Sequence, residues 1–383
     1  MSDKIEPRQS PATVAAQALG RTDERTKAIS PPVHMTSTFE RDPDNLYRAG
    51  YIYGRADNPT YDQPEAVLAR LEHGASAMLF ASGMAAATAA FQALSPGDHV
   101  VASKVMYWSL RNWLLDFAAP WGVAVDIVDM TDLGALKRAM RPGSTKLVWA
   151  ETPANPLWDI VDIAAVADIV HAAGARLAVD STVATPVLTQ PLALGANLVM
   201  HSCTKYLNGH SDIVAGALVT AKQDGHWERL KTVRTQLGGI LGSFEAWLLL
   251  RGMRTLYPRV RTACAGAQTI AERLAGHSAI SHVLYPGLHE FAGHAIAARQ
   301  MQGGFGGMLS IRLRGGEEVA IATAAKLQVW KRATSLGGVE SLVEHRASVE
   351  GPGSPCPSDL LRLSVGIEDV GDLIADLEQA LPA

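Results

Sequence analysis

Cysteine is scarce in this sequence. Cys203, Cys264 and Cys356 lie far apart and form no C-x-x-C pair, which leaves neither a disulfide framework nor a zinc site to organise the fold. A reducing, cytoplasmic setting is the expectation. Long apolar runs are missing too: none reaches the ~18 residues of a membrane span, and the stretch Ala246 to Leu250 stops at Arg251 and Arg254. The opening MSDKIEPRQSPATV has no apolar centre, so no export signal is expected. Neither sign of charge dominates, with 34 Lys and Arg against 38 Asp and Glu, and no basic stripe points to nucleic acid. The twelve histidines include no H-E-x-x-H spacing, so no metal site is expected. Internal repeats and low-complexity tracts are also absent.

What is present is a chain of 383 residues, enough for two or three domains around a large core. Residues 1–52 are rich in Pro, Asp and Thr, and Pro31, Pro32 and Pro43 block long helices, so this segment reads as an arm. YDQPEAVLARLEHG, from Tyr61 to Gly74, reads as an amphipathic helix. Short apolar strands then alternate with helical stretches. The expected strands are 77–80, 99–102, 123–128, 146–150, 176–179, 197–200 and 214–219, with helices at 83–94, 110–118 and 161–173 between them. Such alternation implies crossover units and a mainly parallel, seven-stranded sheet over 53–245. Helical patterns at 243–254 and 260–275 bridge into a smaller α+β unit, 246–383. That unit carries strands at 308–313 and 361–364 and helices at 319–327 and 370–381.

Lys205 stands just beyond the apolar run Leu198, Val199, Met200, flanked by Ser202 and Thr204. The carboxyl edge of an open α/β sheet is where ligands bind. An amine there, beside two hydroxyls, suits a Schiff base with a phosphorylated carbonyl cofactor. Other strand ends add compatible groups. Asp180 closes RLAVD and is a partner for a protonated pyridine nitrogen; Gly83 and Met84 open a small-residue helix whose free amides suit a phosphate. Asn155 in ETPANP offers an amide to a ring hydroxyl or a carboxylate. Tyr107 would stack on a flat ring, and its phenol, if buried beside cations, would ionise readily enough to act as an acid or base. Each has an ordinary structural explanation alone: a helix cap for Asp180, a turn for Asn155, packing for Tyr107. Their recurrence at four strand ends favours a shared site. Arg362, inside the apolar strand LLRLS, is costly without a carboxylate partner.

These groups sit in segments that resemble a known family. PPVHMTSTF from Pro31, YGRADNPT from Tyr53, FASGMAA from Phe80, ETPANP from Glu151, AVDSTVATP from Ala178, HSCTKYLNGHSD from His201, SLGGVESLVEH from Ser335 and LLRLSVGIED from Leu360 are similar to the pyridoxal-phosphate-dependent Cys/Met metabolism enzymes. These include cystathionine γ-synthase, γ-lyase and β-lyase, and methionine γ-lyase. The resemblance implies the aspartate-aminotransferase-like fold, fold type I. It implies Lys205 as the Schiff-base lysine, Asp180 as the pyridinium partner, and Ser202, Thr204, Gly83 and Met84 as the phosphate cup. Tyr53 and Arg55 would reach the phosphate of a neighbouring subunit, which implies a dimer with shared sites and usually a tetramer. Arg362 would hold the substrate α-carboxylate, with Asn155 and Ser335 beside it.

The activity so implied is γ-elimination or γ-replacement on a substrate such as cystathionine or an O-acylhomoserine. β-Elimination, as in a cystathionine β-lyase, is an alternative, and a sensor without turnover is a remote one. Two departures bear on the substrate. Trp108, Ser109 and Leu110 follow Tyr107, where family members commonly carry a small-residue run; methionine γ-lyases have a cysteine there, and this chain has none. The stretch from Arg346 to Pro357, RASVEGPGSPCP, replaces a histidine-containing loop, and Arg346 and Glu350 are candidates to select a charged side chain. A non-thiol leaving group, such as the oxyguanidine of a canavanine-like amino acid, is therefore open.

Overall fold

Between Ser76 and Thr220 the chain builds one sheet, in a computed structural model that describes residues 9–351 and 354–382. Its strands are β1 (Ser76–Phe80), β2 (His99–Ser103), β3 (Ala124–Val128), β4 (Thr145–Glu151), β5 (Arg176–Asp180), β6 (Leu198–His201) and β7 (Gly216–Thr220), ordered β1-β7-β6-β5-β4-β2-β3. The central strands are buried on both faces, which is why HVVAS and RLAVD read as continuous apolar runs. Only β7 runs against its neighbours. No helix between His201 and Gly216 carries the chain back to the other end of the sheet, so the strand returns antiparallel.

Helices α1 (Pro11–Gln17), α2 (Pro59–Leu71), α3 (Gly83–Gln92), α4 (Trp108–Trp113), α5 (Leu133–Ala139), α6 (Ile163–Ala172), α7 (Thr185–Leu188) and α8 (Gly225–Leu237) surround this sheet. The helix expected at 110–118 begins earlier, at Trp108, and widens to a π-turn over Leu114–Ala118. The arm is not wholly without structure. In α1, Ser10 caps the amides, Pro11 starts the helix, and Val14 and Ala15 are buried in the same core as Val67, Leu68 and Leu71 of α2.

After α9 (Ser243–Met253), the long helix α10 (Leu256–Leu274) joins the two cores. Its first half buries Leu256 and Val260 with α2, and its second half buries Ile270 and Leu274 against the second sheet. That sheet contains β8 (Ile280–Leu284), β9 (Met308–Leu313), β10 (Lys331–Arg332), β11 (Leu342–His345) and β12 (Leu360–Ser364), ordered β10-β11-β12-β9-β8. Helices α11 (His294–Gln300), α12 (Gly316–Lys326), α13 (Ala347–Glu350) and α14 (Val370–Ala380) complete the chain. Leu361 and Leu363 face the core with Leu373 and Leu377 of α14, each such side chain worth about 1.5–3 kcal/mol. The period-2 alternation turns Arg362 to the opposite face.

Candidate active site

The carboxyl ends of β1, β2, β4, β5 and β6 share one edge, and the groups expected there are brought to it. Lys205 follows β6 in a tight turn, its amide bonding Ser202 O at 3.1 Å and its carbonyl accepting from Gly209 at 2.7 Å. The Lys205 ammonium donates to Ser335 Oγ at 2.7 Å. Burial, reinforced by the charge of Arg362, lowers its pKa to about 8.

Asp180 ends β5, nearly buried, and its Oδ1 accepts from the Thr182 amide at 3.0 Å. Glu151 ends β4 directly beside it in register. Burial raises both carboxyls, and Glu151, which also feels the charge of Asp180, stands well above the usual range.

A cradle lies at the start of α3. Ser82 caps the helix, accepting from Ala85 N at 3.0 Å. The amides of Gly83 and Met84, in the first turn, have no intrahelical carbonyl to meet. A Cβ on Gly83 would stand 2.7 Å from Ser202 Oγ, and one on Gly216 only 2.1 Å from Ser82 O, so both glycines allow an approach that a side chain would block. Ser202 thus faces the Gly83 turn. Thr204 does otherwise: its hydroxyl donates to Ala215 O at 3.1 Å and accepts from Ala215 N at 3.0 Å. Its single hydrogen is used by β7's lead-in rather than left for a phosphate.

Arg362 is buried on β12 and engages three groups. Its Nη1 donates to Asn155 Oδ1 at 3.3 Å, and its Nη2 to Ser335 O at 2.6 Å and to Glu344 Oε2 at 2.6 Å. Its Nε has no partner among the described residues. Burial brings its pKa down to about 10, against the pull of Glu344. Glu344 is its cross-strand neighbour on β11 and also accepts from Arg346 at 2.9 Å. Arg346 in turn grips Glu350 at 2.7 Å, and Ser354 bonds the other oxygen of Glu350. Arg346 and Glu350 therefore spend their charges on each other and on Glu344, and their side chains are only 3% and 4% exposed. That differs from groups waiting to select a charged substrate. Pro352 and Gly353, in the same stretch, lie outside the described residues.

Three expected residues stand apart. Tyr107 stands just before α4 and is 40% exposed rather than buried, edge-on to Trp108 at 6.2 Å. Tyr53 and Arg55 lie just after the arm, both exposed, with Arg55 5.8 Å above the Tyr53 ring and 3.5 Å from Thr235 O. Among the described residues of one chain, neither bonds Lys205, Ser335 or Arg362. Glu344, Glu151 and Thr182 were not singled out by sequence, although Glu151 and Thr182 lie inside the motifs quoted for Asn155 and Asp180 and stand at or just beyond strand ends.

The sequence profile of the Cys/Met metabolism PLP-dependent enzymes matches residues 12–382. The chain belongs to this family. It is a pyridoxal-phosphate-dependent enzyme of the α/β, fold type I class. It is 46% identical over 377 residues to cystathionine γ-synthase of Mycobacterium tuberculosis, covering 97% of this chain and 96% of the relative. To L-methionine γ-lyase of Pseudomonas deceptionensis it is 41% identical, covering 94% of each. The crystal structure of cystathionine γ-synthase from Xanthomonas oryzae pv. oryzae in complex with cystathionine matches with a TM-score of 0.93 at 39% identity, over 98% of each chain. The site fits the family's cofactor: the Gly83 cradle is kept open by the lack of a Cβ, and a half-buried amine and a buried carboxyl stand at neighbouring strand ends. No helix among the described residues is long and apolar enough to cross a membrane.

Proposed function

We propose that this enzyme catalyses elimination or replacement at Cγ of a homoserine- or homocysteine-type amino acid, such as cystathionine or an O-acylhomoserine. The observation that carries the reading is the chain Lys205 Nζ, Ser335, Arg362, joined by contacts of 2.7 and 2.6 Å. It sets a base with a pKa of about 8 beside a buried guanidinium whose Nε is unpartnered, as an α-amino acid requires.

Gly83, Met84 and Ser202 hold the cofactor phosphate in this reading, and Asp180 keeps the ring nitrogen protonated. Thr204 contributes after its hydroxyl turns from Ala215. Bound there, pyridoxal phosphate supplies an electrophilic carbonyl and an electron-accepting ring. Arg362, with Asn155 and Ser335, holds the substrate α-carboxylate and fixes Cα toward Lys205. The Lys205 amine, partly neutral near pH 8, takes the Cα proton and then moves one from Cβ, so that the bond from Cγ to its heteroatom opens. Tyr107 lines the cofactor face and serves the leaving group as acid or base.

The reading extends to a second copy of the chain. Tyr53 is 48% exposed, and Ile29, Met35, Leu46 and Ile52 of the arm before it are more exposed still. Apolar surface of that extent favours burial against a partner, where Arg55 would meet the partner's phosphate. The proposal includes the division into arm (1–52), cofactor-binding unit (53–245) and carboxyl-terminal unit (246–383). It also includes a homotetramer built from such dimers and a cytoplasmic location, in keeping with three free cysteines.

Cofactor uptake and turnover in Lys205→Ala test the assignment. The variant is expected to lose the visible band of the lysine-bound cofactor and all ammonia or thiol release; retention of both refutes it.

A further inference from the structure

Glu151 touches more of the site than any reaction role given to it would require. It ends β4, whose neighbours are β2 and β5. Its Oε2 accepts from the Tyr107 backbone amide at 2.7 Å, in the segment that follows β2. Its Oε1 accepts from the Asn155 backbone amide at 3.0 Å, in the loop that follows β4 itself. Across the next ladder it is paired in register with Asp180 of β5. One carboxyl group thus joins the backbone carrying the ring-facing tyrosine to the backbone carrying the asparagine that bonds Arg362.

Both oxygens are engaged, and the residue is 6% exposed. Each oxygen already accepts a backbone hydrogen and little of the side chain reaches solvent, which sets Glu151 behind the reacting groups rather than among them. A buried carboxyl beside Asp180 is also costly, since burial and the neighbouring charge both oppose its ionisation, with Glu350 adding to that opposition. The two backbone donors offset part of this cost, and they tie the segments that follow β2 and β4 to the end of β4, which the ladder holds beside Asp180 of β5.

We propose that Glu151 is a positioning residue that sets Tyr107 and Asn155 together, one toward the cofactor and the other toward the substrate carboxylate. The inference rests on the functional reading above. Its consequence is that cofactor affinity and substrate affinity are linked through a residue that contacts neither.

Glu151→Gln tests it. The amide keeps the shape but accepts only one of the two backbone hydrogens and turns an N–H toward the other. The cofactor Kd, measured by equilibrium dialysis on cofactor-free protein, is expected to rise about tenfold, and the KM for the amino acid about tenfold, with kcat falling less than either. A Kd and KM both within twofold of wild type overturn the proposal. So does a loss of folded protein with Kd and KM unchanged in the fraction that folds, because that is a purely structural role. If Glu151→Gln yields no folded protein, Glu151→Asp, too short to span both donors, is read by the same criteria; failure of both to fold also counts against the proposal. Wild-type protein that takes up no cofactor sinks the functional reading itself, whereas normal uptake in wild type and variant alike sinks only this inference.

Discussion

Lys205 Nζ and Ser335 Oγ are 2.7 Å apart, across the join between the seven-stranded and the five-stranded sheet. The serine meets the lysine from a backbone with φ of 89°, a left-handed value that L side chains rarely adopt. The two sheets thereby meet at this hydrogen bond as well as at that of Arg362 with Asn155, and Ser335 reaches it in a conformation that costs energy.

Ser335→Gly separates that cost from its purpose. Glycine adopts the same φ without strain, so the variant is expected to hold or gain stability, by up to about 1 kcal/mol in thermal unfolding. Losing the hydroxyl that holds the amine should lower kcat about tenfold, the scale of one charged hydrogen bond. A variant both less stable and fully active would contradict the pairing.

The Lys205 pKa gives a prediction for the cofactor-free protein. Folded Lys205 loses its proton near pH 8, the unfolded chain near 10.5. Between these values the unfolded state binds more protons, so stability rises with pH across that window. Lys205→Met removes the titration. At pH 7 it should be more stable than cofactor-free wild type by about 1–3 kcal/mol, after discounting for partial exposure, and the gap should close toward pH 10.5. Urea unfolding at several pH values reads it; a gap that does not change with pH rules out the depressed pKa.

Arg346 and Glu350 are joined to Arg362 through Glu344, which accepts from both arginines. Removing one partner leaves a buried charge unmatched, so Arg346→Met should destabilise the enzyme by about 3 kcal/mol. Adding Glu350→Met to the same chain should restore part of the loss, because only Glu344 then needs a partner, and Arg362 supplies one. Additive losses in denaturant titrations would mean that the two residues are not coupled.

Subunit mixing tests the role of Arg55. If Arg55 serves the partner's site, Lys205→Ala and Arg55→Ala chains are each inactive alone but complement when unfolded and refolded together. Random pairing makes half of the dimers mixed, each with one intact site, so about one quarter of wild-type activity should return. No recovery would place Arg55 outside the shared site.

Much of this was legible in the sequence because parallel strands buried on both faces are apolar runs, and the residues just beyond their carboxyl ends are polar by necessity. Asp180, Lys205 and the Gly83 turn could be read that way. β11 could not: Glu344 and His345 break the apolar run in LVEH, Glu344 because it faces Arg362 and His345 because its ring bonds Ser348 and the Ser358 carbonyl. β8, ISHVL, differs from β11 in being only partly buried, but it too is broken by polar residues. Glu151 was hidden for another reason. Its partners are backbone amides, which no side-chain pattern displays. The hydroxyl of Thr204 shows the opposite limit, since a residue type compatible with phosphate is equally compatible with the Ala215 backbone.

The position of bond cleavage tests the central claim most directly. Purified enzyme with pyridoxal phosphate would be offered cystathionine, methionine, an O-acylhomoserine with cysteine, and canavanine, with Lys205→Ala as the control, and the carbon skeleton of each product identified by mass spectrometry. The account predicts 2-oxobutyrate and ammonia from elimination at Cγ, or, from replacement at Cγ, homoserine with water and cystathionine with cysteine, all absent in the variant. Pyruvate alone would show that Lys205 opens the bond at Cβ and would contradict the assignment of γ chemistry.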